Sequence, residues 1–290
     1  MNFRILAAFA LIALPLSCIS QTAPGGMTPP RSWVDKDTGH RVWRLSDEPN
    51  SGGFYFNVNA FTPDGKQMVY TAPDGIHVLD LATRSTKLLV PNPPRTESMS
   101  EAGPRGFMPG MVHALVVGHK TNSVFYTKTD AATGVTAVYK ADTNTGAIRK
   151  LVDLPAKRNI VSVNADETLA AGTYIVGDAA GKEYGSNMPA PAQPPGGADN
   201  RVASDAQGPH FQPTNKGEMM ERRLAARLPL VLFTIRLEPG PNGQKPGAIR
   251  TLLHSTDWVN HLLFSPSDPT LLMYCHEGPW QKVEIGRAHV

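Results

Sequence analysis

The residues best suited to chemistry in this 290-residue chain sit in two phrases close to its C-terminal end, "WVNHLLFSP" and "MYCHEGPW". These hold Asn260, His261, His276 and Glu277. An imidazole that is neutral near pH 7 can act as a general base. His276 and Glu277 follow a strand-like run, not a helical one, so they cannot build the two-histidine helix of a zinc protease. There is no G-x-S-x-G elbow and no glycine loop of the kind that cradles phosphates. Of the two cysteines, Cys18 falls in the N-terminal leader, so Cys275 has no disulfide partner and reads as a buried strand residue. What remains is histidine at strand edges: His113, His261 and His276. A lone histidine there is more often structural, so its position in the fold has to decide.

The elements that must position these residues repeat. An apolar strand, a polar turn, a second strand and a hairpin with a D-x-x-T-G-like corner recur along the chain. "FNVNAFTPDGKQMVYTAPDGIHVLDLATRSTKLLV" is one copy and "MVHALVVGHKTNSVFYTKTDAATGVTAVYKADTNTGAIRKLV" the next. A third opens at "NIVSVNADETLAAGTYIVGD" and resumes at "LPLVLFTIRLEPGPNGQKPGAIRTLL", and a fourth begins "WVNHLLFSPSDPTLLMYCHEGPW". Short alternating strands between Gly- and Asn-rich turns suit four-stranded antiparallel units. Units of about 40–50 residues with this pattern predict an all-β fold, a β-propeller. The innermost strand of each blade lines the channel. Counting back five or six residues from each turn places Asn57, His113, Asn159 and the pair Asn260–His261 at its mouth. Polar strand ends near solvent are the ordinary alternative to a ligand-facing ring.

The third unit is interrupted by an insertion over residues 178–228. It contains the irregular "NMPAPAQPPGGADN" and then "KGEMMERRLAARL", a short basic helix. Its Arg222, Arg223 and Arg227 either approach an anionic ligand at the mouth or lie on a solvated face. A net charge of +3 with scattered basic residues argues against nucleic acid as a partner. At the N-terminus, Arg4 and the apolar "ILAAFALIALPL" read as a signal peptide over residues 1–20, too short to span a bilayer, which predicts a periplasmic or secreted protein. A lipoprotein reading at Cys18 is weakened by Pro15.

The pairing of "WVNHLLFSP" with "CHEGPW", together with the opening "DKDTGHRVWRLSD" and "FTPDGKQMVY", resembles the oligogalacturonate lyase family, polysaccharide lyases on a seven-bladed propeller. The resemblance runs from about Trp33 to Val283, apart from the insertion. It implies β-elimination at a uronate of a pectin oligosaccharide. On that resemblance His261 is the base, while His276 and Glu277 shape the floor of the site and orient His261. Of the ring read from spacing, Asn57, His113 and Asn260 would contact substrate. The family's arginine before the base blade has no match in the apolar "LPLVLFTI", which leaves Arg223 or Arg227 as stand-ins. The resemblance also implies a divalent cofactor, Mn2+, whose ligands lie in later blades, so this chain is expected to bind none. Two other readings stay open: a lyase for a different uronate-containing oligosaccharide, and a non-catalytic propeller that binds sugar or protein.

At this length the chain supplies about three and a half of seven expected blades, an incomplete propeller over residues 21–283. The final "EIGRAHV" reads as an in-frame translation of a common sequencing adapter over residues 284–290. The natural protein is accordingly expected to continue past Val283, and His289 to carry no function. A half propeller exposes sheet edges, so the chain as written is expected to aggregate and to lack lyase activity.

Overall fold

The structure, a computed structural model, describes residues 30–93, 110–177, 202–205, 208–211, 216–279 and 282–283. The leader with Cys18, the Pro/Ala-rich part of the insertion, and residues 284–290 with His289 lie outside the described residues. The chain divides into two compact units, Met1–Leu45 and Ser46–Val290. In the first, β1 (Ser32–Val34) pairs antiparallel with β2 (Arg41–Trp43). The Asp35 carboxylate accepts hydrogen bonds from the Thr38 backbone N–H at 2.8 Å and the Thr38 hydroxyl at 2.7 Å, which closes the corner.

The second unit is a succession of antiparallel sheets. β3 (Gln67–Ala72), β4 (Gly75–Asp80) and β5 (Thr86–Pro91) form the first. β6 (Val112–Val117), β7 (Ser123–Thr129), β8 (Thr136–Asp142) and β9 (Ile148–Asp153) form a four-stranded second. In the third blade β10 (Asn159–Val163) and β11 (Leu169–Ile175) precede the insertion. The insertion contributes the hairpin β12 (Val202–Asp205) and β13 (Gly208–Phe211), then α1 (Lys216–Ala226). β14 (Leu230–Arg236) and β15 (Ile249–Ser255) complete that four-stranded sheet in the order β10-β11-β14-β15. β16 (Trp258–Phe264) and β17 (Leu272–Glu277) form a two-stranded fourth sheet.

The same local chemistry turns each corner. Asp80, Asp130 and Asp142 each accept from the backbone N–H and the hydroxyl of a threonine three residues on. These bonds hold all three carboxyls below the usual range, the Thr backbone bond contributing most. Between corners the strands alternate, and their buried faces stack sheet on sheet. Val69 and Val78 of the first blade meet Val117 and Val124 of the second. Phe125 and Val138 then meet Ile160 and Phe233 of the third. Ala171 and Leu232 meet Val259, Phe264 and Leu272 of the fourth. The first strands β6, β10 and β16 lie side by side. Face-to-face blades with neighbouring inner strands are the arrangement of a β-propeller.

Polar ties join the blades at the end away from the mouth. The buried Glu167 carboxylate accepts from the Lys120 N–H at 3.0 Å, the Thr121 N–H at 2.7 Å and its hydroxyl at 2.7 Å, and pairs with Lys140 Nζ at 2.7 Å. Asn164 Nδ2 donates across the next joint to the Pro269 carbonyl at 3.1 Å.

Two details depart from the pattern read in the sequence. The first blade has no regular inner strand: the segment touches β3 only at the isolated bridges Gly52↔Thr71 and Phe61↔Met68. Between them the Val58 N–H donates to the Tyr55 carbonyl at 2.8 Å, a turn that lifts residues 55–58 off the ladder. The insertion, expected to be irregular apart from a helix, also carries the β12–β13 hairpin, two four-residue strands too short for periodicity to reveal.

Candidate active site

The ring predicted from spacing can be located through one recurring hydrogen bond. At the foot of each inner segment, Thr62 N donates to Gln67 O, Gly118 N to Ser123 O, Asn164 N to Leu169 O and Ser265 N to Leu271 O. Five residues before each donor stand Asn57, His113, Asn159 and Asn260. These four occupy equivalent positions at the mouth end. Gly172 in β11 lets β10 come close there: a Cβ at Gly172 would lie 1.8 Å from the Asn159 carbonyl oxygen. The insertion leaves β11 and rejoins β14 through the pair Ile175↔Leu230, so it rises from this same end.

Each inner strand carries a bulge just past the ring position, between Ala114 and Val116 in β6, Ile160 and Ser162 in β10, and Asn260 and Leu263 in β16. Bulges re-aim side chains and are frequent beside active sites. Only in β16 does the bulge put a non-glycine residue at positive φ: His261 has φ 48°. A left-handed conformation at histidine costs of order 1–3 kcal/mol and clusters at functional sites.

Around His261 the contacts come from distant parts of the chain. Its Nε2 lies 3.5 Å from Glu277 Oε2, and Asn260 Nδ2 donates to the same oxygen at 2.7 Å. The Tyr55 ring stacks on the imidazole with centroids 5.7 Å apart and planes at 19°. Glu277 is largely buried and His261 is 38% exposed, so the carboxylate anchors from beneath while the imidazole faces out.

His276 belongs to the opposite face of β17. In the register Trp258 faces Glu277 and Asn260 faces Cys275, whereas His276 sits opposite Val259. Its Nδ1 lies 3.3 Å from Asp257 Oδ2, and Arg227 pairs with the other oxygen of Asp257. Glu277, not His276, is therefore the residue that faces His261. Burial and then the Glu277 charge push the Cys275 thiol up, which keeps it neutral.

The helix arginines are also placed. Arg223 lies over the Trp258 ring at 3.9 Å and Arg227 reaches Asp257, so both arrive at the top of β16. Arg222 pairs instead with Glu218 one turn away at 3.0 Å. Arg227 is 58% exposed, and with one carboxylate contact its guanidinium keeps donors for a ligand.

Beside this constellation lies a cleft of about 410 Å³ lined by Asn50, Tyr55, Val58, Asn92, His113 and Val161, among others. That is the size range of small-ligand sites. Burial lowers the His113 pKa, so its imidazole stays neutral. Asn57 Oδ1 is buried without a hydrogen-bond donor among the described residues. Tyr55 at 58% and Phe56 at 87% exposure stand at this rim with ring centroids 4.7 Å apart. Sequence reasoning passed over Tyr55, Phe56 and Asp257. The three aromatics of "FYFNVN" in an otherwise turn-forming stretch were the available signal.

Among the described residues no three His, Cys, Asp or Glu side chains come together as a metal site. His261, Glu277 and the amide of Asn260 are a poor donor set for a divalent ion. The described residues do not fit the implied metal. No described helix is long and apolar enough to cross a membrane.

No family model matches the chain, and no curated protein matches it. Solved structures do. An oligogalacturonate lyase from Vibrio parahaemolyticus and an oligogalacturonate lyase in complex with manganese each superpose with a TM-score of 0.56 at 18% identity, over 87% of this chain and 54% of theirs. The chain spans about half the length of these proteins. At that identity the likeness is one of fold: this chain folds as part of a β-propeller of the kind these lyases use.

Proposed function

We propose that the mouth binds a uronate-containing oligosaccharide, of the oligogalacturonide type, and that His261 is the base of a β-elimination in the complete protein. The observation that carries this reading is His261 itself, held at positive φ between the Tyr55 ring and the Glu277 carboxylate and open to the mouth. With Nε2 turned to Glu277, Nδ1 is the nitrogen left to take the C5 proton of the uronate. The C5–H electron pair becomes the C4=C5 double bond, the C4–O bond breaks, and the departing oxygen takes a proton from the imidazolium or from water. Negative charge grows on the uronate carboxylate in that step, and fixed cations aimed at it lower the barrier. Arg227, exposed and tethered by Asp257, supplies such a cation at this end of β16, where Arg223 also lies over Trp258. Tyr55 and Phe56 offer apolar faces to sugar rings, and the buried Asn57 Oδ1 accepts from a sugar hydroxyl. The protein acts outside the cytoplasm if residues 1–20 are the leader that they resemble.

In the complete protein, His261→Ala is expected to abolish the ultraviolet absorbance of the unsaturated product from trigalacturonate while leaving circular dichroism unchanged. Near-normal turnover would remove His261 from the mechanism. A second reading, binding without elimination, is favoured by the exposed Tyr55–Phe56 pair, which serves recognition whether or not a base acts. It predicts trigalacturonate affinity that falls in Tyr55→Ala with no product formed by the wild-type protein.

A further inference from the structure

At the end of the propeller opposite the mouth, a groove of about 270 Å³ runs between the third and fourth blades. It is walled by Thr234, Arg236 and Arg250 on one side and by Phe264 and Thr270 on the other, with Gln244 at its edge. The register fixes its position: Arg236 pairs with Leu169 at the far end of β11 from Asn159, and Thr234 pairs with Arg250 across β14 and β15. Thr234 and Arg236 are two apart on β14, so they share a face with Arg250.

Neither guanidinium has an anionic partner among the described residues. The acids flanking them in sequence are occupied, Glu238 by Arg149, Asp257 by Arg227, and Asp268 by the N–H and hydroxyl of Thr270 at 2.9 and 2.7 Å. Arg236 is half-buried, and the loop after β14 folds over it. Gly240 N donates to Gln244 O, Gly247 N to Arg236 O, and a Cβ at Gly240 would lie 2.5 Å from Arg236 Cζ. A side chain at 240 would have to push the guanidinium aside. A loop built around a charge that lacks an internal counter-ion leaves that charge to be neutralised from outside.

We propose that this groove binds a small organic oxyanion, a carboxylate or phosphate on a hexose-sized skeleton, through Arg236 and Arg250. The Phe264 wall suits a carbon skeleton better than a bare ion, and the volume lies just below the range of drug-sized ligands. The groove is separate from the mouth and does not depend on the elimination reading.

Calorimetric titration of the full chain with gluconate, glucose 6-phosphate, neutral glucose and inorganic phosphate tests the site. One of the two organic anions is expected to bind and glucose is not, and which one binds identifies the head group. Arg236→Met and Arg250→Gln should each weaken that binding at least ten-fold, whereas His261→Ala should leave it unchanged. Arg250 is exposed, so its replacement does not threaten the fold. The proposal is overturned if neither organic anion binds, if both arginine variants bind like the wild type, or if inorganic phosphate binds as tightly as the organic anions.

Discussion

His261 combines three properties that single residues rarely hold together: a titratable ring, a strained backbone and an exposed edge. Replacement by alanine keeps the Cβ and therefore keeps the cost of φ 48°. Replacement by glycine removes both. His261→Gly is expected to be more stable than His261→Ala by about 1 kcal/mol, read from urea midpoints, because only glycine is at ease in that region. Equal midpoints would mean that the bulge is not strained. His113 makes a different prediction. Burial lowers its pKa below the ordinary 6.5, so the unfolded chain binds the extra proton first. Stability is full above pH 6.5 and declines as the pH falls through the folded pKa, and His113→Gln should flatten that decline. Glu48 adds a loss at lower pH. Burial alone would raise its carboxyl, but hydrogen bonds from Ser46, its own backbone N–H, Tyr70 and Thr86 bring it from 4.5 to about 2, so its contribution disappears only as the pH drops through that interval.

At the scale of elements, strands and corners act as positioning devices. The Asp–Thr corners are local and set strand lengths, and the recurring bond at the foot of each inner segment sets where the ring residue falls. β10 reaches its place because Gly172 admits it. Gly172→Ala would drive a Cβ into the Asn159 carbonyl, a backbone atom that cannot swing away. The β10–β11 pairing should open at its mouth end, with a loss of roughly 1–3 kcal/mol in urea unfolding and faster amide exchange at residues 159–160. Unchanged exchange there would show that the strands separate without cost. α1 contributes differently, anchored by buried Met219 and carrying Arg223 and Arg227 to Trp258 and Asp257.

For the molecule as a whole, the propeller stacks blades by apolar faces, and each face needs a neighbour. β17 has one partner strand among the described residues, and Met273 on it is 54% exposed. An unpaired strand edge with an exposed apolar side chain is a template for association. Light scattering of the 290-residue chain is expected to rise with concentration, and Met273→Lys to reduce it at unchanged circular dichroism. Concentration-independent scattering in the unmodified chain would show that this edge is protected.

Much of this architecture was legible from the chain alone. Period-two alternation, Asp-x-x-Thr corners and a repeat of constant internal spacing depend on residues within a few positions of one another. Most strands, the blades and the equivalent spacing of Asn57, His113, Asn159 and Asn260 before each turn could therefore be read directly. What lay out of reach was contact between blades. Tyr55 meets His261 only because the first and fourth inner segments share a mouth. Glu277 rather than His276 sits beside the base because a bulge in β16 and alternation in β17 select one face. Arg227 finds Asp257, and Arg236 and Arg250 share a groove, because an insertion and a loop fold back onto strands far along the chain. Local hydrogen bonding and alternation wrote the elements into the sequence; the packing of one sheet on the next decided which side chains meet.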